Sequence, residues 1–323
     1  MKGLELYTTK DMLNLPPPAW LVEDFIAEKA TTMVYGPWGL GKSFMLLDMV
    51  LDGTRGETWA AADDRVFTRP LKTLYVVAEG VAFWPPRIRA FMADKGDIAD
   101  ENILWYPKPV QLFDGSKRGD KPPDDVLRLE ETIAEHQPDL VVFDTWVRCT
   151  GAFGMEENNS GHVAQVYREL DRLRDTYGFA PVLVHHPKKD GTSGRGSGNQ
   201  MASVERVIAL KEMGTENRSS FVVHDEKGNH TLPFTDFIMR FENVELENDV
   251  SAVLRYDGLS GGAGGPTLSD KIYQWALTQL TPWTTKDLML VGGVTTSNYS
   301  KALNGLIETG LINKLERGLY ETS

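Results

Sequence analysis

The run Gly36-Pro37-Trp38-Gly39-Leu40-Gly41-Lys42-Ser43 constrains the fold of this chain more than any other feature. It is a complete GxxxxGK[ST], set between the apolar run TTMVY (31–35) and the apolar-periodic stretch SFMLLDMVL. Glycines at these spacings let successive backbone N–H groups curl around an anion, and the start of the following helix adds positive potential. Gly36, Pro37, Trp38, Gly39, Leu40 and Gly41 are therefore the candidate cradle, with Phe44 opening the helix behind it. Lys42 brings a cation to β- and γ-phosphates, and the Ser43 hydroxyl is a ligand for Mg²⁺. Strand, loop and helix in this order predict ATP and Mg²⁺ as the bound species.

Short apolar runs recur along the next 150 residues. TLYVVAE (73–79), LVVFDT (140–145) and APVLVHH (180–186) are rich in β-branched residues and unbroken by charge. Such runs suit strands buried on both faces of a parallel sheet. Between them lie helical patterns, the clearest of which puts Val163, Val166, Leu170 and Leu173 on one face. Alternating strands and helices predict a doubly wound α/β domain. LVVFDT ends in Asp144, and an acid at that point after a phosphate loop belongs in a magnesium shell. Glu79 ends the strand after the loop's helix, where a carboxylate can orient an attacking water.

The stretch DGLSGGAGGPT holds five glycines and a proline and cannot sustain a helix or a central strand. It divides the chain into a domain over 1–256 (with an N-terminal arm over 1–20), a linker over 257–267 and a small domain over 268–323. The small domain reads as three helices and a hairpin, with Thr295 or Thr296 capping the third helix. That outline predicts a winged helix-turn-helix, and a protein-interaction domain is the alternative because Lys301 is the sole base on the candidate recognition helix. In the arm, Pro16-Pro17-Pro18-Ala19 stiffens the approach to Trp20, which packs either in the core or on a neighbouring subunit.

The 323 residues carry 34 Lys and Arg against 46 Asp and Glu, a net charge of −12. That balance argues against a protein that coats duplex DNA by bulk attraction, although a local patch can still bind phosphate. The charges after Pro266 cancel, so the whole deficit lies before the small domain. One cysteine, Cys149, excludes an internal disulfide framework and a cysteine-based zinc finger. The opening residues lack the apolar core of a signal peptide, and no apolar run is long enough to span a bilayer. The expectation is a cytoplasmic protein with no membrane partner.

Four motifs occur together: AEG followed by Arg87 and Arg89, LVVFDT, His185-His186 with Lys188-Lys189, and Arg195-Gly196-Ser197-Gly198. In this order and spacing they resemble the RecA-like ATPases of the RepA-type replicative helicases of plasmids and phages, over roughly residues 16–230. The resemblance implies a RecA-like P-loop NTPase core, an α/β fold with a doubly wound, mainly parallel sheet, followed here by the small C-terminal winged-helix domain. It implies that Lys42 and Ser43 bind nucleotide and metal, that Glu79 is the catalytic base, and that Asp144 lies in the metal shell. His185 or His186 would sense the γ-phosphate. The loop DGTSGRGSGNQ would grip single-stranded DNA, with Lys188, Lys189 and Arg195 on backbone phosphates. Ring motors complete each site with a neighbour's arginine; Arg206 is the candidate and Lys211 the second choice, whereas His224-Asp225-Glu226-Lys227 departs from the basic pattern of relatives. The expected assembly is a homo-oligomer, a hexamer, with a replication protein as a further partner of the small domain. A helicase loader or recombination mediator that uses ATP as an assembly switch is the alternative; a metabolic kinase lacks support.

Overall fold

The computed structural model describes the chain apart from residues 1–5, 17, 60–65, 116–120, 157–158, 187–199, 214–216, 229–233, 248, 261–267, 278, 280, 291–298, 309–310, 317–318 and 323. Its centre is a nine-stranded sheet. Six strands are parallel: β3 (Thr32–Tyr35), β4 (Thr73–Val77), β5 (Ile103–Tyr106), β6 (Leu140–Asp144), β7 (Ala180–His185) and β8 (Arg206–Met213). Three more, β9 (Asn217–Gly228), β10 (Phe237–Leu246) and β11 (Asp249–Leu259), continue the sheet antiparallel beyond β8. The order is β11-β10-β9-β8-β3-β7-β6-β4-β5. A two-stranded ribbon, β1 (Trp20–Val22) and β2 (Ile26–Ala27), precedes it.

The period of two along each strand divides the core into two halves. Val34, Val77, Val142 and Val184 face one cluster, covered by α2 (Lys42–Gly53) and α3 (Trp84–Lys95). Met33, Val76, Phe143 and Leu183 face the other, covered by α4 (Asp124–His136) and α6 (Ser160–Tyr177). The short α5 (Trp146–Thr150) leads out of β6. The expected doubly wound, mainly parallel α/β sheet is therefore present. The apolar face of α6 expected from the sequence is buried at Val163, Val166, Leu170 and Leu173. Arg172 locks α6 to α4 through a bidentate pair with Glu130, at 2.8 and 2.7 Å.

Strand order matters more than strand count. β7 lies between β3 and β6, so the carboxyl ends of β3, β7, β6 and β4 stand side by side on one edge. In open α/β sheets this edge is where ligands bind.

β11 runs on to Leu259, so the first three residues of the expected linker are strand, with Gly258 at φ +98°; residues 261–267 lie outside the described residues. The small domain holds α7 (Leu268–Leu277), β12 (Trp283–Thr284), α8 (Tyr299–Glu308), β13 (Ile312–Glu316) and β14 (Leu319–Thr322), its sheet ordered β12-β14-β13. The hairpin expected around 316–318 is thus flanked by a third strand. The expected middle helix is instead a 3₁₀ turn over Asp287–Leu290, and the Thr295 and Thr296 caps fall outside the described residues. Ile272, Trp283, Leu303, Ile312 and Tyr320 build its core. In the arm, α1 (Thr9–Leu13) is closed by a Thr8–Asp11 capping box and buries no residue. Among the described residues no helix is long and apolar enough to cross a membrane.

Beneath α2 lies a charged cluster. Lys95 reaches Asp48 at 3.0 Å and Asp52 at 2.8 Å, and Trp59 Nε1 donates to Asp48 at 3.0 Å. Burial first, then Asp48, raises Asp52 to about 6 from 3.8. Because the folded chain holds this proton more tightly than the unfolded chain, its contribution to stability grows as pH falls from about 6 towards 4. Lys95→Met leaves the buried Asp48 without its bonded cation and Asp52 with only the longer Arg55 pair at 3.5 Å, and is expected to cost about 3 kcal/mol at neutral pH. The loss should shrink at pH 5; urea denaturation at both pH values checks the direction.

Candidate active site

The phosphate loop leaves β3 at Tyr35 and enters α2 at Lys42. Two of its three glycines, Gly36 and Gly41, sit at close approach to other strands. A Cβ on Gly36 would meet the Leu210 carbonyl of β8 at 2.7 Å. Gly41 sits at φ +106°, where a Cβ would lie 2.7 Å from the Phe241 ring and 2.8 Å from the Phe221 ring. β8 together with the antiparallel β9 and β10 thus forms a wall that leaves room only for glycine at these two positions.

Lys42 is 3 % exposed, and its Nζ donates to the carbonyls of Gly36 at 2.7 Å and Pro37 at 2.6 Å. Burial lowers it to about 8, opposed by the charges of Asp144 and Glu79. It stays cationic at pH 7, yet its bonded partners are carbonyl dipoles. A buried cation so placed is a receptor for an anion. Ser43, one residue on, is bonded to the carboxylate of Asp144. Asp144 ends β6, is 2 % exposed, and also accepts from Tyr75 Oη at 2.9 Å. Burial raises it above the usual carboxylate range, while Ser43 and Tyr75 pull the other way. Among the described residues no group of three or more His, Cys, Asp or Glu can hold a metal ion. A hydroxyl and one carboxylate suit Mg²⁺, which keeps waters and shares phosphate oxygens rather than taking an all-protein cage. The donor set therefore fits ATP with Mg²⁺.

The two histidines part company. His185 is 2 % exposed and stacks on Tyr35 with centroids 6.1 Å apart. His186 turns to the loop, its ring 5.2 Å from that of the exposed Trp38. Burial and the nearby Lys42 push it down to about 4, against a hydrogen bond to the Gly36 carbonyl. His186 is thus neutral at pH 7 and committed to the loop backbone. Glu79 follows β4, close enough to act on Lys42, and accepts from Arg148 Nε of α5 at 3.1 Å.

Arg206 departs from its expected role. It is 5 % exposed, ion-paired with Asp225 of β9, and its guanidinium lies over the rings of Trp20 and Phe234. A side chain enclosed within its own chain does not project towards a neighbour, so the arginine-finger expectation is corrected. Trp20 packs here, half-buried, inside its own chain. Lys211 pairs with Glu226 at 3.2 Å, and Lys227 donates to the carbonyls of Met201 and Val204. Lys188, Lys189 and Arg195 lie outside the described residues.

Three contributors escaped the sequence reading. Tyr75 had a signal, a phenol hydroxyl set among Leu74, Val76 and Val77. Arg87, quoted only as part of a motif, lies 4.3 Å over the Phe44 ring and acts on Asp144. Arg148 had none.

The profile of a family described as an AAA domain matches residues 6–192. A search of curated proteins finds no match. Among solved structures, the RadB recombinase is similar at 16% identity and TM-score 0.46, covering 67% of this chain and 89% of that one. The KaiC-like protein PH0186 from Pyrococcus horikoshii OT3 is similar at 13% identity and TM-score 0.48, covering 73% and 95%.

Gly41→Ala combines a positive φ with overlap on two rings and is expected to destabilise by about 2 kcal/mol. Adding Phe241→Leu should return part of the loss; chemical denaturation of the single and double variants measures it.

Proposed function

The chain belongs to the AAA domain family, whose profile spans more than half of it, and we propose that it is an ATP-hydrolysing ring motor acting on single-stranded DNA, a RepA-type replicative helicase. The observation that carries the ATPase reading is the buried Lys42 ammonium, bonded to two loop carbonyls, beside the Ser43–Asp144 pair. The DNA reading is supported by the sequence resemblance and by the basic residues Lys188, Lys189 and Arg195 beyond β7.

In this reading Lys42 exchanges its carbonyl partners for the phosphate oxygens of ATP, the substrate whose phosphoanhydride is cleaved. Ser43 and Asp144 would hold Mg²⁺, which when bound would supply positive charge to those oxygens. Glu79 orients the attacking water and takes its proton. His186, neutral and joined to the Gly36 carbonyl, couples the loop to the segment that follows β7. With Arg206 committed to Asp225, Lys211 becomes the candidate to reach a neighbouring subunit, because its pair with Glu226 is half-exposed. The small domain, read as a winged helix, would contact DNA or a replication protein.

The loader or recombination-mediator reading is the alternative, and one assay separates the two. Strand displacement on a forked duplex that needs ATP hydrolysis selects the helicase; hydrolysis without displacement selects the loader.

Lys42→Ala is expected to abolish ATP binding in a fluorescent-nucleotide titration, and wild-type affinity would remove the assignment. Glu79→Gln is expected to bind ATP normally and turn it over at least about 10²-fold more slowly, the scale of a lost general base. Turnover at the wild-type rate would put the base elsewhere.

A further inference from the structure

Asp144 has two side-chain partners among the described residues, and they reach it from different elements. Ser43 stands beside it at the start of α2. Tyr75 comes from the neighbouring strand, its Oη donating to Asp144 Oδ2 at 2.9 Å. In the register of β4 on β6, Val77 lies opposite Asp144 and Tyr75 opposite Val142. Residues two apart along a strand share a face, so the phenol spans the diagonal between the strands.

The ring behind that hydroxyl has little freedom. Tyr75 is fully buried, and the rings of Trp84 in α3 and Trp105 in β5 lie 4.8 and 5.5 Å from it between centroids. The two indoles are themselves 5.8 Å apart. Close-packed side chains of this kind are held to one rotamer. A phenylalanine would fill the same space, and the flanking Leu74 and Val76 are aliphatic. What the hydroxyl adds is one bond to a carboxylate, which belongs to the stronger class of hydrogen bonds. The donor stands at a fixed point, and the carboxylate cannot turn without losing it.

Charge and direction are separate demands on a metal ligand. Asp144 supplies the charge unaided. Mg²⁺ also requires near-ideal octahedral geometry, whereas Ca²⁺ accepts flexible ligand sets at longer distances. A ligand whose own partner fixes its direction favours the stricter ion. On the reading of Asp144 as a metal-shell carboxylate, on which this inference rests, we propose that Tyr75 is a positioning residue that sets the direction of that carboxylate and so makes nucleotide binding selective for Mg²⁺ over larger divalent cations. Tyr75 touches neither nucleotide nor metal in this role; it acts through Asp144.

The test is equilibrium binding of a fluorescent, non-hydrolysable ATP analogue to the full chain in EDTA, in Mg²⁺ and in Ca²⁺. Wild type, Tyr75→Phe, Trp84→Phe and Asp144→Asn are compared. The ratio of affinity with metal to affinity in EDTA reads the share of binding that the metal carries. For Tyr75→Phe the expected Mg²⁺ ratio falls on the order of tenfold, the scale of a lost outer-shell partner. Its affinity in EDTA stays near wild type, and its Ca²⁺ ratio is nearly unchanged. Trp84→Phe keeps the hydroxyl but loosens the stack behind it, and should lose part of the same Mg²⁺ ratio. If Tyr75→Phe does not fold, Trp84→Phe decides, and wild-type ratios in it overturn the proposal. A structural role alone would weaken binding in EDTA, Mg²⁺ and Ca²⁺ together. If Tyr75→Phe keeps the wild-type Mg²⁺ ratio, or loses the Mg²⁺ and Ca²⁺ ratios equally, positioning is refuted. If Asp144→Asn leaves both ratios at wild type, Asp144 is not in the metal shell, and the proposal falls with that reading.

Discussion

Lys42 is a cation brought to near-complete burial without a bonded carboxylate among the described residues, and much of the surrounding structure serves to make that arrangement stable. Its ammonium is held by the carbonyls of Gly36 and Pro37, which point inward because the loop bends back on itself. The bend is possible only where β8 and the rings of Phe221 and Phe241 press against Gly36 and Gly41. The antiparallel strands β9 and β10 are therefore part of the nucleotide site, although they lie beyond the parallel sheet. Burial weakens the hold of Lys42 on its proton but does not neutralise it at pH 7. An incompletely paired charge of this kind favours whatever anion fits the cradle.

The elements that were legible in the sequence are those with two buried faces. β3, β4, β6 and β7 read as unbroken apolar runs because helices cover both sides of them. The phosphate loop was legible because its glycines answer a geometric need. β10 and β11 went unread: their apolar pattern gives out along the strand as they leave the core, with β10 buried at Phe237, Ile238 and Met239 and then alternately exposed. β5 is the last strand of the sheet, and its burial fades from Ile103 to Tyr106.

Site residues divide along a different line. Those fixed by backbone position, Lys42 and Ser43 at the start of α2 and Asp144 at the end of β6, could be placed from the elements that carry them. Arg206 could not, because its fate depends on Asp225, which is 19 residues away and reaches it only through the pairing of β8 with β9. Position in the chain predicted the strand end correctly and said nothing about the direction of the side chain. Arg148 was invisible for the same reason: its partner Glu79 is 69 residues distant and meets it only because β4 lies beside β6.

The two groups that border the phosphate cradle differ in how they can respond. His186 is held near pKa 4 by burial and by Lys42, so it carries no charge at neutral pH and adds no repulsion to a neighbouring cation. Any signal it passes must travel by exchange of a hydrogen bond, from the Gly36 carbonyl to another acceptor. Such an exchange has short range and depends on direction. Arg148 and Glu79 are charged and exposed, so their pairing responds to any polyanion that approaches and to the ionic strength of the medium. The contact on the loop is therefore strict in geometry, and the Glu79–Arg148 pair answers to charge alone.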